Sequence, residues 1–320
     1  MFFEGSEKKA EILIDPKQLS LLNDISDEFW QALVHSCNAC ILSRISNEQC
    51  KAFLLSESSL FVWDDRFVIL TCGETQLVNS VEYFIRHIGA DKLVHLTYQR
   101  KNEYFSRAQP SCFGDDIKLL SRYLPGKAFR FGEMDSHHNY VFHLDNDFNA
   151  SKEDKTYELL AYQISTRASE KLTTPGLTSA QIRQFLRLEQ LLPGFILDDH
   201  VFEPYGYSVN AIHADKYLTI HVTPQADSSY VSFESNLNLI EMAPVILEIL
   251  QPASFDLLSF NELDFKQQCT GLIPPSYISK SLVEETLSNG YQVYFANYIL
   301  PQNHFSQAIA LDIAGENHAL

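Results

Sequence analysis

Residue types that can do covalent or proton-transfer chemistry sit in this chain at unusual places. Ser58 lies in LLSESSLFV, between Glu57 and Ser59, where two apolar runs are interrupted. Cys72 ends the apolar run of RFVILTCG, Ser208 lies in PYGYSVN, and His221 interrupts LTIHVTP. Glu4 and Glu7 stand beside Phe2 and Phe3. Serine and cysteine supply nucleophiles or acids, histidine a base, and carboxylates either. Each position taken alone also has a plainer reading. The Ser/Glu cluster reads as a solvated strand segment, because it lacks the Gly, Asn or Pro of a tight turn. His221 reads as a satisfied core histidine and Cys72 as a small hydrophobe. The short signatures of dinucleotide, phosphate-loop, serine-hydrolase and zinc-protease sites are absent.

Metal chemistry is not expected. Cys37-Asn-Ala-Cys40 has the spacing of a zinc or redox pair, but no second pair follows it and its sequel reads as a strand. His137 and His138 lack neighbouring ligands of suitable type.

Alternating short strands and helical segments must position these side chains. CNACILSRI, CKAFLLS, SLFVW and FVILTCG are β-rich, and the Asp64-Asp65-Arg66 break predicts a hairpin. Helices are predicted over 26–36, opening at Ser26, and over 76–88 and 115–123. After a polar stretch at 146–155, YELLAYQIS predicts a helix, YLTIHVTP and SYVSFESN strands, LIEMAPVILEIL a helix and VYFANYIL a strand. Few βαβ crossovers and many strands point to an α+β fold with antiparallel sheets. The halves share a coarse strand-strand-helix rhythm, and no Pro/Gly/Ser linker divides them, so one compact unit is expected.

The chain of 320 residues is 45% hydrophobic, enough for a sizeable core. A net charge of −17 argues against a nucleic-acid backbone or an anionic membrane surface and suits a cationic ligand. The start carries no basic, then apolar, leader pattern, and the longest apolar stretches are too short to span a bilayer. Six cysteines without a secretory signal predict reduced thiols in a cytoplasmic protein.

The segments FFEGSEKKAEI, LLSESSLFV, RFVILTCG, PYGYSVN and LTIHVTP…YVSFESN together resemble S-adenosylmethionine decarboxylase of the eukaryotic type. They occur in that family's order and near its spacing, from Met1 to beyond Asn236. The resemblance implies a four-layer α/β/β/α sandwich of two antiparallel sheets with an internal two-fold repeat, in a single domain over 1–320 with halves of about 1–155 and 156–320. It implies a proenzyme that cuts itself between Glu57 and Ser58 into a 1–57 β chain and a 58–320 α chain. Ser58 would become a covalent pyruvoyl group, which forms a Schiff base with the substrate and accepts electrons as pyridoxal phosphate does.

Residue roles are carried over by the same resemblance. Ser208 assists cleavage, His221 removes the α-proton in the elimination, and Cys72 protonates the product carbon. Phe3 and Phe202 sandwich the adenine, and Glu57, Glu7 and Glu4 belong to the same site. Where the family carries a glutamate that grips the ribose hydroxyls, this chain has Gln225. An amide keeps one acceptor oxygen but loses the charge. The implied reaction is decarboxylation of S-adenosylmethionine for spermidine synthesis. The alternatives are a pyruvoyl decarboxylase of arginine or ornithine, or a non-catalytic activating paralogue.

An activator site is also implied. Glu11, Asp154, Thr156, Glu158 and Glu234 match the acidic cluster that binds putrescine in animal members, with Phe260 and Tyr291 as aromatic matches. A lysine and an aromatic of that site are here Leu70 and Thr97. Lys9 stands where plant members carry an arginine in place of the diamine. These mixed matches leave putrescine dependence open, and both a monomer and a homodimer remain open.

Overall fold

The computed structural model describes residues 5, 7–104, 106–225, 228–302 and 308. The first half contains strands β1 (Lys8–Ile14), β2 (Ile41–Ser46), β3 (Lys51–Leu55), β4 (Ser58–Val62), β5 (Arg66–Thr71), β6 (Leu93–Lys101), β7 (Gly126–Gly132) and β8 (His138–Leu144). Helices α1 (Asp27–Ser36), α2 (Leu77–Ile88) and α3 (Phe113–Leu120) accompany them. The second half contains β9 (Thr156–Tyr162), β10 (Ile196–Val201), β11 (Tyr207–His213), β12 (Lys216–Thr223), β13 (Tyr230–Ser235), β14 (Ser254–Phe260), β15 (Ile278–Thr286) and β16 (Gln292–Ile299). Its helices are α4 (Thr166–Leu172), α5 (Ser179–Phe185), α6 (Leu188–Leu191), α7 (Leu239–Leu250) and α8 (Phe265–Leu272).

These strands form two eight-stranded antiparallel sheets, ordered β2-β3-β4-β5-β1-β6-β8-β7 and β10-β11-β12-β13-β9-β14-β16-β15. Adding eight to each number of the first order gives the second, so the coarse rhythm of the sequence is a full topological repeat.

Alternation along each strand builds the layers, because successive side chains point to opposite faces. In β1, Ala10, Ile12 and Ile14 join the apolar core beneath α1, α2 and α3. In β12, Leu218, Ile220 and Val222 join the corresponding core beneath the second set of helices. The opposite parity, Lys9 and Glu11 of β1, Thr219 and His221 of β12, and Ser232 and Glu234 of β13, is buried between the sheets. The interior layer is therefore polar through much of its length, with apolar clusters such as Phe61, Trp63, Leu70, Ile212 and Tyr217 beside it.

Ser26 caps α1 by accepting from the Phe29 amide, and the hairpin at 64–66 is present. One predicted element is corrected: YELLAYQIS forms β9, not a helix. β9 lies in the middle of its sheet, between β13 and β14, and is buried on both faces. A strand buried on both faces lacks the apolar–polar alternation that would have marked it.

Candidate active site

The turn joining β3 to β4 creates the site. Leu55 faces Ser58 across the ladder, so Ser56 and Glu57 alone reverse the chain. Two-residue hairpins usually place glycine or asparagine where φ must be positive. Neither is present, and Ser58 itself takes φ of 141°. Such a conformation costs a non-glycine residue on the order of 1–3 kcal/mol. The strain sits at the Glu57–Ser58 peptide. The cluster is thus a tight turn running into a buried strand rather than a solvated segment: Ser58 is 2% exposed.

Both sides of this peptide bond are engaged. The Glu57 carbonyl oxygen accepts from the Cys72 backbone N–H at 2.9 Å and from Cys72 Sγ at 3.3 Å. The Ser58 hydroxyl lies 2.8 Å from Nε2 of His221. Strands β11 and β12 pair Ser208 with His221, and Ser208 Oγ reaches Nδ1 at 2.7 Å. Thr219 Oγ1 and Ser59 Oγ approach Nε2 at 2.8 and 3.2 Å, and Ser59 donates to Asn210 Oδ1 at 2.6 Å. Burial pushes the His221 pKa down to about 3, so the imidazole is neutral at pH 7 and able to accept a proton.

A cavity of about 680 Å³ opens onto this bond, lined among others by Glu57, Ser58, Cys72, Phe202, Tyr205 and Gln225. Its volume is in the range of sites for small organic ligands. Burial raises the Glu57 carboxyl to about 6 against the pull of Lys8. Among the described residues, one oxygen of that carboxyl is buried with no hydrogen-bond partner.

Phe202, Gln225, Glu57, Ser58, Cys72, Ser208 and His221 are therefore gathered around one cavity. Phe3 and Glu4 lie outside the described residues. Glu7 is placed between the sheets: its carboxylate accepts from Ser232 Oγ at 2.5 Å, and Ser232 is paired with His221 across β12 and β13. Burial raises Glu7 to about 7.

Farther along the same interior layer lies an ionic cluster. Lys9 pairs with Glu234 and, at 3.3 Å, with Glu158, which also takes Lys101 at 2.9 Å. Arg66 holds Glu11 at 3.2 Å and Asp154 at 2.5 Å, and Tyr291 donates to Asp154. Thr156 and Phe260 are buried in the adjoining strands. Glu158 is held down to about 2 by Lys101 and Lys9 in spite of its burial, whereas burial pushes Glu234 up. Leu70 is the register partner of Lys9, and Thr97 that of Glu11.

Among the described residues no cluster could hold a metal ion, and all six cysteines are free. Cys37 is buried and Cys40 exposed. Sequence reasoning missed Ser59, Asn210, Thr219, Arg66 and Lys101. Thr219 and His221 share strand parity, and that was the available signal; Arg66 and Lys101 had none beyond their strands.

Comparison with known proteins gives one answer. The family described as adenosylmethionine decarboxylase matches residues 1–299. The S-adenosylmethionine decarboxylase proenzyme of Trypanosoma cruzi is 31% identical over 92% of this chain and 88% of its own length. That of Dictyostelium discoideum is 28% identical over 92% and 85%. A solved structure, the AdoMetDC-delta26 monomer of Trypanosoma brucei, superimposes with a TM-score of 0.59 at 24% identity, covering 76% of this chain and 99% of that one.

Proposed function

The chain belongs to the adenosylmethionine decarboxylase family, and from that premise we propose which of its own residues perform the family's chemistry. The reaction is the pyruvoyl-dependent decarboxylation of S-adenosylmethionine for polyamine biosynthesis. The observation that carries the assignment is the Glu57–Ser58 peptide: a strained serine on a neutral histidine, with its upstream carbonyl held by two donors.

Self-cleavage begins at Ser58. With Nδ1–H donating to Ser208, His221 Nε2 is the acceptor for the Ser58 proton. Serine is a weak nucleophile without such a base. As Oγ bonds to the Glu57 carbonyl carbon, charge develops on the oxygen that the Cys72 N–H and thiol already contact. The C–N bond then breaks, the amine takes a proton, and an ester joins Glu57 to Ser58. His221 next removes the Ser58 α-proton as the Cβ–Oγ bond breaks, leaving dehydroalanine and releasing the main-chain α-carboxylate of Glu57. Water replaces nitrogen as ammonia at residue 58, which completes the pyruvoyl group.

The surroundings of Ser58 fit that group, because Ser58 itself lines the cavity beside Cys72 and Phe202. When formed, it takes up the substrate α-amine and draws off the electron pair freed as CO₂ departs. Phe202, and Phe3 by resemblance, stack on the adenine, and the sulfonium gains cation–π attraction. Gln225 takes the ribose edge, and Cys72 supplies the proton to carbon.

Putrescine is not required in this reading. Lys9, Lys101 and Arg66 already stand against Glu11, Asp154, Glu158 and Glu234, and the proton favoured on Glu234 brings the cluster to balance. Every residue in the scheme comes from one chain, so the chemistry needs no second copy; sedimentation distinguishes a monomer from a homodimer. No described helix is long and apolar enough to cross a membrane. The free cysteines support a reducing, cytoplasmic compartment, and the acidity supports a role without nucleic acid.

Intact mass after expression, followed by CO₂ release from S-adenosylmethionine with and without putrescine, tests the reading. Two chains, 1–57 and 58–320, with activity are expected; a whole, inactive chain would overturn it.

A further inference from the structure

Lys8 is a buried ammonium for which the chemistry above has no use. It opens β1 opposite Thr71 and is 1% exposed. Its Nζ donates to the Gly73 carbonyl at 3.0 Å, so it grips the turn immediately beyond Cys72. Burial works against its charge, and Arg100 of β6 adds repulsion; Glu103, Cys72 and Asp116 of α3 oppose that loss. Arg100 takes up two of these anions itself, Glu103 at 2.5 Å and Asp116 at 2.7 Å. The Glu57 carboxyl, and Cys72 once it has given up its proton, are then the groups of the cavity that feel the charge of Lys8, while His221 on its other wall is neutral.

We propose that Lys8 is the positioning residue for Cys72: its ammonium pins the Cys72–Gly73 turn and stabilises the thiolate left when Cys72 gives up its proton. The inference rests on the assignment of Cys72 as the acid of the decarboxylation. In that step the S–H bond breaks and a C–H bond forms at the substrate α-carbon, using the electron pair left by CO₂. Sulfur keeps its own pair and becomes negative, and water returns the proton afterwards. A buried thiolate without a counter-charge would resist forming, whereas an adjacent cation favours it. The charge of Lys8 also pulls down the Glu57 side-chain carboxyl.

The test follows the thiol directly, independently of turnover. Self-processed wild type and the variants Lys8→Gln, Lys8→Met and Lys8→Arg are treated with iodoacetamide from about pH 6 to 10, and alkylation of Cys72 is read by peptide mass. Lys8→Gln keeps a donor for the Gly73 carbonyl and removes the charge. Its alkylation profile should move upward by about one pH unit, as should that of Lys8→Met, while Lys8→Arg stays with the wild type. A Lys8→Gln profile superimposed on the wild type overturns the proposal, and so does a Lys8→Arg profile that moves as far as Lys8→Gln. If Lys8→Met does not fold, the Gln and Arg pair decides. Undiminished CO₂ release by processed Cys72→Ala would instead strike the assignment of Cys72 as the acid, a separate result from either alkylation profile.

Discussion

The hydroxyl of Ser58 lies 2.8 Å from Nε2 of His221, while Ser208, paired with His221 on the neighbouring strand, holds the opposite ring nitrogen at 2.7 Å. The proposed nucleophile, base and orienting group thus come from both halves of the chain. Ser58→Ala should leave one uncut chain on a denaturing gel. His221→Ala removes the base for both the attack and the elimination, so cleavage should slow by at least about 10²–10⁴. Any product reached should be an ester, detectable because hydroxylamine cuts the chain at Glu57. A His221→Ala chain that processes at the wild-type rate would remove the histidine from the scheme.

Cys72 contributes two donors to the Glu57 carbonyl, and only one belongs to its side chain. Cys72→Ala should therefore slow self-cleavage modestly, by about tenfold, because the backbone N–H remains. Decarboxylation should fall further, by about 10² or more, because the proton donor to carbon is gone. Processing half-time on a gel, set against CO₂ release by the processed fraction, separates the two. Equal losses in both steps would count against the acid role.

The α+β class and most elements were legible because strand and helix periodicities are local, whereas the four-layer sandwich came from the family resemblance. β9 was not, because a central strand buried on both faces reads as a continuous apolar run with one glutamate in it. Ser58, Cys72, Ser208 and His221 were visible as polar residues in apolar strands, yet their spacing said nothing of one site. Their meeting depends on which sheet faces which, and only the ordered family segments anticipated it. The turn at Ser56–Glu57 was misread for an instructive reason: it uses a strained serine where turn chemistry expects glycine. Lys101 and Arg66 escaped because ion pairing between sheets leaves no mark on either strand alone.

Gln225 borders the cavity where the family's glutamate would meet the ribose hydroxyls. Gln225→Glu restores a charged acceptor, worth on the order of 1–2 kcal/mol. KM for S-adenosylmethionine should fall by roughly 5- to 30-fold with kcat little changed. A change in kcat at constant KM would place Gln225 away from the ribose.

Glu7 makes the stability of the protein depend on pH in a predictable direction. Burial raises its pKa from 4.5 to about 7, so the folded protein holds a proton that the unfolded chain releases above about pH 4.5. The associated stability is present below that pH and is lost as pH rises through about 7. Glu7→Gln removes the titration, so its stability relative to wild type should grow between about pH 5 and 8, by at most about 3 kcal/mol. Urea melts of both proteins across that range provide the check. A constant difference would mean that Glu7 titrates normally.

In the proposed scheme, Lys9 stands in for an external cation. Lys9 joins Glu234 to Glu158 in the buried layer, opposite Leu70, where the family's lysine is missing. Removing one member of such a pair leaves charge buried and uncompensated, at a cost of about 3–5 kcal/mol. Lys9→Ala should therefore be less stable and less active than the wild type, and the deleted side chain leaves room for a diamine. Putrescine should raise both the melting temperature and the CO₂ release of Lys9→Ala, while leaving the wild type nearly unchanged. The same experiment with Lys9→Arg, which keeps the charge, should show no diamine effect. Strong stimulation of the wild type by putrescine would mean that the three internal cations do not complete the cluster, and that Lys9 pairs with these carboxylates without replacing the activator.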